Sequence, residues 1–360
     1  MTARQSLDPL HLHSWDNPAT VRLRKYLFGA AALSATAPVG QARREQVWEH
    51  GRVRLYRYRS PLRRWAVPVV LVYALINRPH ILDLTPERSL VGFLLERGFE
   101  VYLLDWGIPT EQDRDRTIDE HVLVDLPSAL AAAKRSAGSD RVSVVGHCQG
   151  GTISLVHAAL FPTAVENLVL LAAPVDFAPS RPGAFGWWTL WTRQRAFNPR
   201  ITIDETGNAA IDVPSRLLDR AGTLFGAPAA GLARRLEQDA EARAWLAACR
   251  WVDEAVPMAG ASFRQWIRQY YQENRLVRGR LQVGDTTVRL ADVAGDVLVL
   301  AGRKDGVTPL AQAVAALRHM PKARITGHTV DAGHIGLIVG PTAPHSMWAP
   351  LARWLQQRSH

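Results

Sequence analysis

Two cysteines among 360 residues, Cys148 and Cys249, are too few for a disulfide framework, so both are expected as free thiols of a reducing compartment. The cytoplasm is the expected location. Long apolar runs are missing as well. The longest, residues 67–76, is about strand length and contains a proline, well short of the ~18 residues of a membrane-spanning helix. Residues 26–42, behind Arg22, Arg24 and Lys25, resemble the apolar part of a secretory signal, but in such a signal the charges open the chain, and here they lie well inside it. No His-Glu-x-x-His run and no Cys/His cluster occurs, so no metal is expected. Neither a Walker-type loop nor a Rossmann glycine fingerprint is present. Repeats of solenoid or propeller period and low-complexity tracts are also lacking.

What is present fits a folded chain with a large core: 47% hydrophobic and 21% charged residues, far from a disordered composition. The formal net charge of +10 comes from an arginine excess and favours an anionic partner, whether phosphorylated small molecule, acidic protein or charged surface. The arginines are scattered in ones and twos, as at Arg43-Arg44, Arg63-Arg64 and Arg234-Arg235, without interleaved aromatics, so nucleic acid is not the expected partner.

Residues 1–45 lack a strand pattern and are expected to form a helical arm. From Val53 onward short apolar runs recur, at 53–58, 67–73, 100–104, 142–146, 168–171, 297–301 and 324–330. Those around Val69, Val144, Val169 and Val299 are almost wholly apolar, as strands buried on both faces of a parallel sheet are. Helical stretches such as 89–97 and 123–135 lie between them, giving an α/β fold with helices on both faces. The alternation stops after Pro174. Residues 179–266 are rich in Trp, Arg, Pro and Ala, with helical stretches at 214–225 and 238–251, and read as a helical cap inserted between two parts of the core, 46–178 and 267–360.

The sharpest signal is Gly146-His147-Cys148-Gln149-Gly150-Gly151, between the strand at 142–145 and a helix expected over 152–160. This is the context of a nucleophile elbow, where glycines flank a residue whose strained backbone admits no bulky neighbours. Cys148 stands in the nucleophile position. The following helix N-terminus favours its thiolate, and the backbone N–H of Gln149 is placed to hold an oxyanion. Two partners follow: Asp305, after the strand at 297–301, and His334, after the strand ending at Val330. The order nucleophile, acid, histidine is that of the α/β-hydrolase fold. An isolated Asp or His would more often be a turn or packing residue; the three in sequence read as a catalytic triad. His147 is expected to point away from the site, Cys249 to be a packed residue, and His157, His319, His328 and His345 lack ligand spacing.

From Gln46 to His334 the chain resembles the polyhydroxyalkanoate synthases, particularly the short class III catalytic subunits. The resemblance rests on Leu55-Tyr56-Arg57-Tyr58, on Tyr73-Ala74-Leu75-Ile76-Asn77-Arg78-Pro79 with Ile81-Leu82-Asp83-Leu84, and on Asp105-Trp106-Gly107. It extends through the cysteine box, Ala173-Pro174-Val175-Asp176-Phe177, and Trp266 with Tyr270-Tyr271-Gln272-Glu273-Asn274. It implies an acyltransferase that polymerises (3R)-hydroxyacyl-coenzyme A. His334 would take the thiol proton of Cys148, an acyl-cysteine would form, and coenzyme A would leave. Asp305 would help the next hydroxyl attack the acyl-thioester. Leu75 or Ile76 would supply a second backbone N–H to the oxyanion. No separate cofactor is implied, coenzyme A entering only as part of the substrate. A second, non-catalytic subunit, a homo-oligomer and a polyester granule surface are the implied partners. Gly306 departs from the family, which usually carries histidine after the aspartate, and the cap matches poorly. A cysteine-nucleophile hydrolase (thioesterase, esterase or polyhydroxyalkanoate depolymerase) is the alternative. A non-enzymatic granule or scaffold protein would leave the triad unexplained.

Overall fold

The computed structural model describes residues 37–40, 42–178, 203–209 and 240–360. Among these, eight strands form one sheet: β1 (Arg44–His50), β2 (Val53–Tyr58), β3 (Val69–Val72), β4 (Val101–Asp105), β5 (Ser143–His147), β6 (Asn167–Leu171), β7 (Gly295–Gly302) and β8 (Ala323–Val330). Their spatial order is β1-β2-β4-β3-β5-β6-β7-β8. β1 and β2 pair antiparallel, as do β2 and β4, and the rest of the sheet is parallel.

Every residue of β3, β4, β5 and β6 is buried, which explains their unbroken apolar runs. The pleat divides β3 between two cores. Val70 and Val72 pack with Ala129, Leu130 and Ala133 of α2 (Leu126–Ala137) and with Ile153 and Val156 of α3 (Gln149–Leu160). Val69 and Leu71 face the other way, toward Leu90, Val91 and Leu94 of α1 (Leu90–Glu96) and Leu351 and Leu355 near the chain's end. Each such fully buried Val or Leu stabilises the fold by roughly 1.5–3 kcal/mol relative to an exposed one.

β1 was not expected. It is an edge strand with mostly exposed or half-buried side chains, so its sequence carries no apolar pattern; it forms by backbone pairing with β2 across a turn at Gly51, whose φ of 57° favours glycine. The 45/46 boundary therefore falls inside β1, and residues 1–36 of the expected arm lie outside the described residues. The expected helix over 123–135 starts earlier, at Ile118. There the Thr117 side chain accepts from the Glu120 amide and the Glu120 carboxylate accepts from the Thr117 amide.

In the region expected as a cap, α4 (Ala240–Asp253) replaces the helix expected over 238–251, and the stretch 214–225 lies outside the described residues. Residues 203–209 also form backbone bridges, Ile203 with Ala209 and Ala209 with Met258, which a purely helical reading omits. α5 (Gly260–Gln265) runs on into a wider helical turn, Trp266–Gln272, so the 266/267 boundary falls within one continuous helical run.

Candidate active site

Cys148 stands between the end of β5 and the first residue of α3, with φ 52° and ψ −126°. A non-glycine residue held there is strained, and the neighbours explain how it is held. The Cys148 amide donates to the Leu171 carbonyl at 3.0 Å, while the Cys148 carbonyl accepts from the Gly151 and Thr152 amides. Gly150 is required by close approach: a Cβ there would lie 2.3 Å from the carbonyl oxygens of both Val72 and Tyr73. The loop after β3 thus presses directly on the elbow. It carries Leu75 and Ile76, two of the three sequence-predicted oxyanion donors, and the fold brings that loop against the segment that carries the third, Gln149.

Asp305 follows β7 and His334 follows β8, and those neighbouring parallel strands deliver both loops to the same end of the sheet. Gly302 permits the approach, since a Cβ there would stand 2.3 Å from the Ala332 carbonyl oxygen. The Arg303 amide donates to the Val330 carbonyl at 2.8 Å and fixes the two loops together. His334 Nδ1 lies 2.7 Å from Asp305 Oδ2, across 29 residues of sequence. The other carboxylate oxygen, Oδ1, accepts from the Val307 and Thr308 amides, both at 2.8 Å. With Nδ1 engaged by Asp305, Nε2 is the ring nitrogen left for Cys148. Burial works against charge on His334, but Asp305 and Cys148, each through charge and a side-chain hydrogen bond, outweigh it and raise the imidazole to about 10. The sulfur therefore lies within electrostatic reach of the imidazole.

The Asp305 side chain has no exposed surface, and both its oxygens are engaged within the protein. One expectation needs correction. His147 does not point away from the site. Its ring stacks on Tyr73 with centroids 5.1 Å apart and planes 9° apart, and its other neighbour is the His334 ring, 4.7 Å away. Burial, and then the charge of His334, hold His147 well below the ordinary histidine range.

Aromatic groups line the rest of the site, and sequence reasoning assigned them no role. Tyr73 and Tyr271 both lie within electrostatic reach of Cys148, and burial, followed by that influence, pushes both phenols up. Trp251 of α4 meets Tyr73 edge-on, and its indole N–H donates to the Arg78 carbonyl at 2.7 Å. The signal available in the sequence was the clustering of tyrosine and tryptophan beside glycine- and proline-rich turns, which does not say which rings converge. Cys249, also on α4, is buried, and burial and then Asp253 push its thiol up to about 12. No group of three or more potential metal ligands occurs among the described residues.

The alpha/beta hydrolase fold family matches residues 67–341. Among curated proteins, a "Poly(3-hydroxyalkanoate) polymerase subunit PhaC" of Synechocystis is 32% identical over 335 residues, covering 89% of this chain and 86% of that protein. The protein of the same name from Haloferax mediterranei is 31% identical over 328 residues; the match covers 89% of this chain and 65% of the longer relative. Among solved structures, a thermophilic esterase from Thermogutta terrifontis superposes with a TM-score of 0.50 at 16% identity, covering 89% of this chain and all of that one. That likeness concerns the fold.

Proposed function

Because the chain belongs to the alpha/beta hydrolase fold family and, within it, to the poly(3-hydroxyalkanoate) polymerases, we propose that it joins hydroxyacyl units from coenzyme A thioesters into polyester, with Cys148 carrying the acyl group. The observation that carries this reading is a cysteine, in place of serine, at a strained elbow and within electrostatic reach of a histidine that an aspartate orients. A thioester on Cys148 differs little in energy from the thioester it came from, so the acyl group can be held for an alcohol instead of being committed to water.

His334 holds the thiol proton on Nε2, and the sulfur attacks the thioester carbonyl. Negative charge then develops on the carbonyl oxygen, where the Gln149 amide and the Leu75 or Ile76 amide stabilise it. Coenzyme A leaves as its thiol, taking the proton from His334. The hydroxyl of another unit or of the chain end attacks the acyl-Cys148 carbonyl, and His334 takes the hydroxyl proton and returns it to the sulfur. Asp305 holds the ring in the tautomer that both steps need. From the region expected as a cap, Trp251 and Met258 approach the site; Met258 Sδ lies 4.0 Å from the Gln149 side-chain nitrogen. The relatives' names as subunits support a second polypeptide in the working enzyme, and the product would gather as a granule at whose surface the protein sits. No described helix is long and apolar enough to cross a membrane.

The test is brief exposure of the purified protein to 3-hydroxybutyryl-coenzyme A, followed by intact mass spectrometry and recovery of product. An adduct on Cys148 with insoluble polyester supports the proposal. Free hydroxy acid released in step with coenzyme A would instead mark a thioesterase.

A further inference from the structure

His147 is 1% exposed, and neither of its ring nitrogens has a hydrogen-bond partner among the described residues. Leaving a polar group buried in this way is unfavourable, so packing alone favours a phenyl ring there. The ring is held flat against Tyr73 on one side, and on the other it faces His334, the two imidazole planes tilted 51° to one another. Tyr73 is itself fixed from behind: its backbone carbonyl accepts from the Trp106 indole at 2.9 Å, and Trp251 meets its ring edge-on. The result is a rigid pile of rings whose last member is the catalytic imidazole.

We propose that His147 is a positioning residue for His334: its uncharged ring, backed by Tyr73, is the wall that keeps the His334 imidazole turned with Nδ1 on Asp305 and Nε2 on Cys148. The π-face of a neutral aromatic ring also attracts the imidazolium that forms when Cys148 gives up its proton, so the wall favours the charged state of its neighbour as well as its orientation. The groups facing His334 are Asp305, Cys148 and His147. This inference rests on Cys148 and His334 being the reacting pair, and not on polyester being the product.

The experiment compares His147→Phe and His147→Leu in the full-length protein. It measures the rate of Cys148 alkylation by iodoacetamide against pH, which reports the thiol–imidazole pair without any natural substrate, together with kcat and KM for coenzyme A release. Phe keeps the flat face and removes the nitrogens; Leu fills similar space without a face. His147→Phe is expected to stay within about twofold of the parent in both readouts. His147→Leu is expected to lose about tenfold in kcat, with KM within about twofold, and to shift its alkylation profile toward higher pH. A His147→Leu variant that alkylates and turns over like the parent would overturn the proposal, because the face would then be irrelevant. A His147→Phe variant as impaired as His147→Leu would overturn it too, by showing that the nitrogens are what matters. If both variants alkylate as expected while no polyester forms from any version, the positioning role stands and the polymerase reading fails.

Discussion

Among the described residues two buried aspartates hold a histidine, and one of the pairs belongs to the site. Asp305 Oδ2 lies 2.7 Å from His334 Nδ1, and Asp125 Oδ2 lies 2.8 Å from His121 Nδ1. Judged by that contact alone they are the same device. They differ in what else each member touches. Asp125 is also gripped by the Arg116 guanidinium at 2.5 and 2.6 Å and by His50 at 3.0 Å. Burial opposes its charge, but those partners together hold its carboxyl below the ordinary range. Its negative charge is shared among His121, His50 and a guanidinium, and His121 packs edge-on against Trp106. Asp305 has only backbone amides besides its histidine, so its charge acts on His334 undivided, and His334 faces a sulfur. A His–Asp pair becomes a catalytic base when the carboxylate has no competing cation and the far nitrogen has a proton to take.

The contrast is broken most severely by removing the sulfur. Cys148→Ala is expected to reduce coenzyme A release by at least roughly 10,000-fold, with thermal unfolding within a few degrees of the parent, both measured on the same preparation. A residual rate within tenfold of the parent would end the nucleophile assignment.

The two aspartates should then fail in opposite ways. Asp305→Asn is expected to reduce kcat by roughly a thousandfold or more with little change in urea midpoint. Asp125→Asn strands a buried guanidinium and should reduce unfolding free energy by about 3–5 kcal/mol, with kcat per folded molecule within about threefold of the parent. If the two substitutions had the same profile, the distinction drawn here would be wrong.

A milder sharpening comes from pH. An unfolded chain's histidine loses its proton near 6.5, whereas folded His334 keeps its proton up to about 10. A raised folded value contributes stability that is fully present below 6.5 and is lost as pH climbs through about 10. Denaturant midpoints should therefore fall across that window, and His334→Gln should flatten the fall. An equally steep fall in the variant would show that other groups set it.

The smallest effect belongs to the second cysteine. Cys249→Ala should leave turnover unchanged and cost about 1 kcal/mol or less. At pH 7 iodoacetamide should label Cys148 and spare Cys249, whose thiol is pushed up to about 12; mass mapping of the labelled peptide decides between them.

The catalytic residues were more legible in the sequence than the rings around them. The elbow could be read because glycine spacing and the strand-to-helix turn are local, spanning Gly146 to Gly151. Asp305 and His334 could be found because each follows an apolar run of a parallel strand, where such a fold gathers its loops. His147 was misplaced for lack of the same kind of clue: the side of the site to which its ring turns depends on Tyr73, which belongs to the adjacent strand's loop. β1 was missed because an edge strand held by backbone pairing needs no apolar face.

The sequence by itself determined which residue stands at the strand-to-helix elbow, the order of its partners and the layered α/β plan. These follow from backbone preferences and hydrophobic period acting over a few residues at a time. The tertiary structure decided which histidine meets which aspartate and that the rings of His147 and His334 are neighbours. Those facts depend on the strand order β3-β5-β6-β7-β8, which sets distances between residues far apart in the chain and which no local preference encodes.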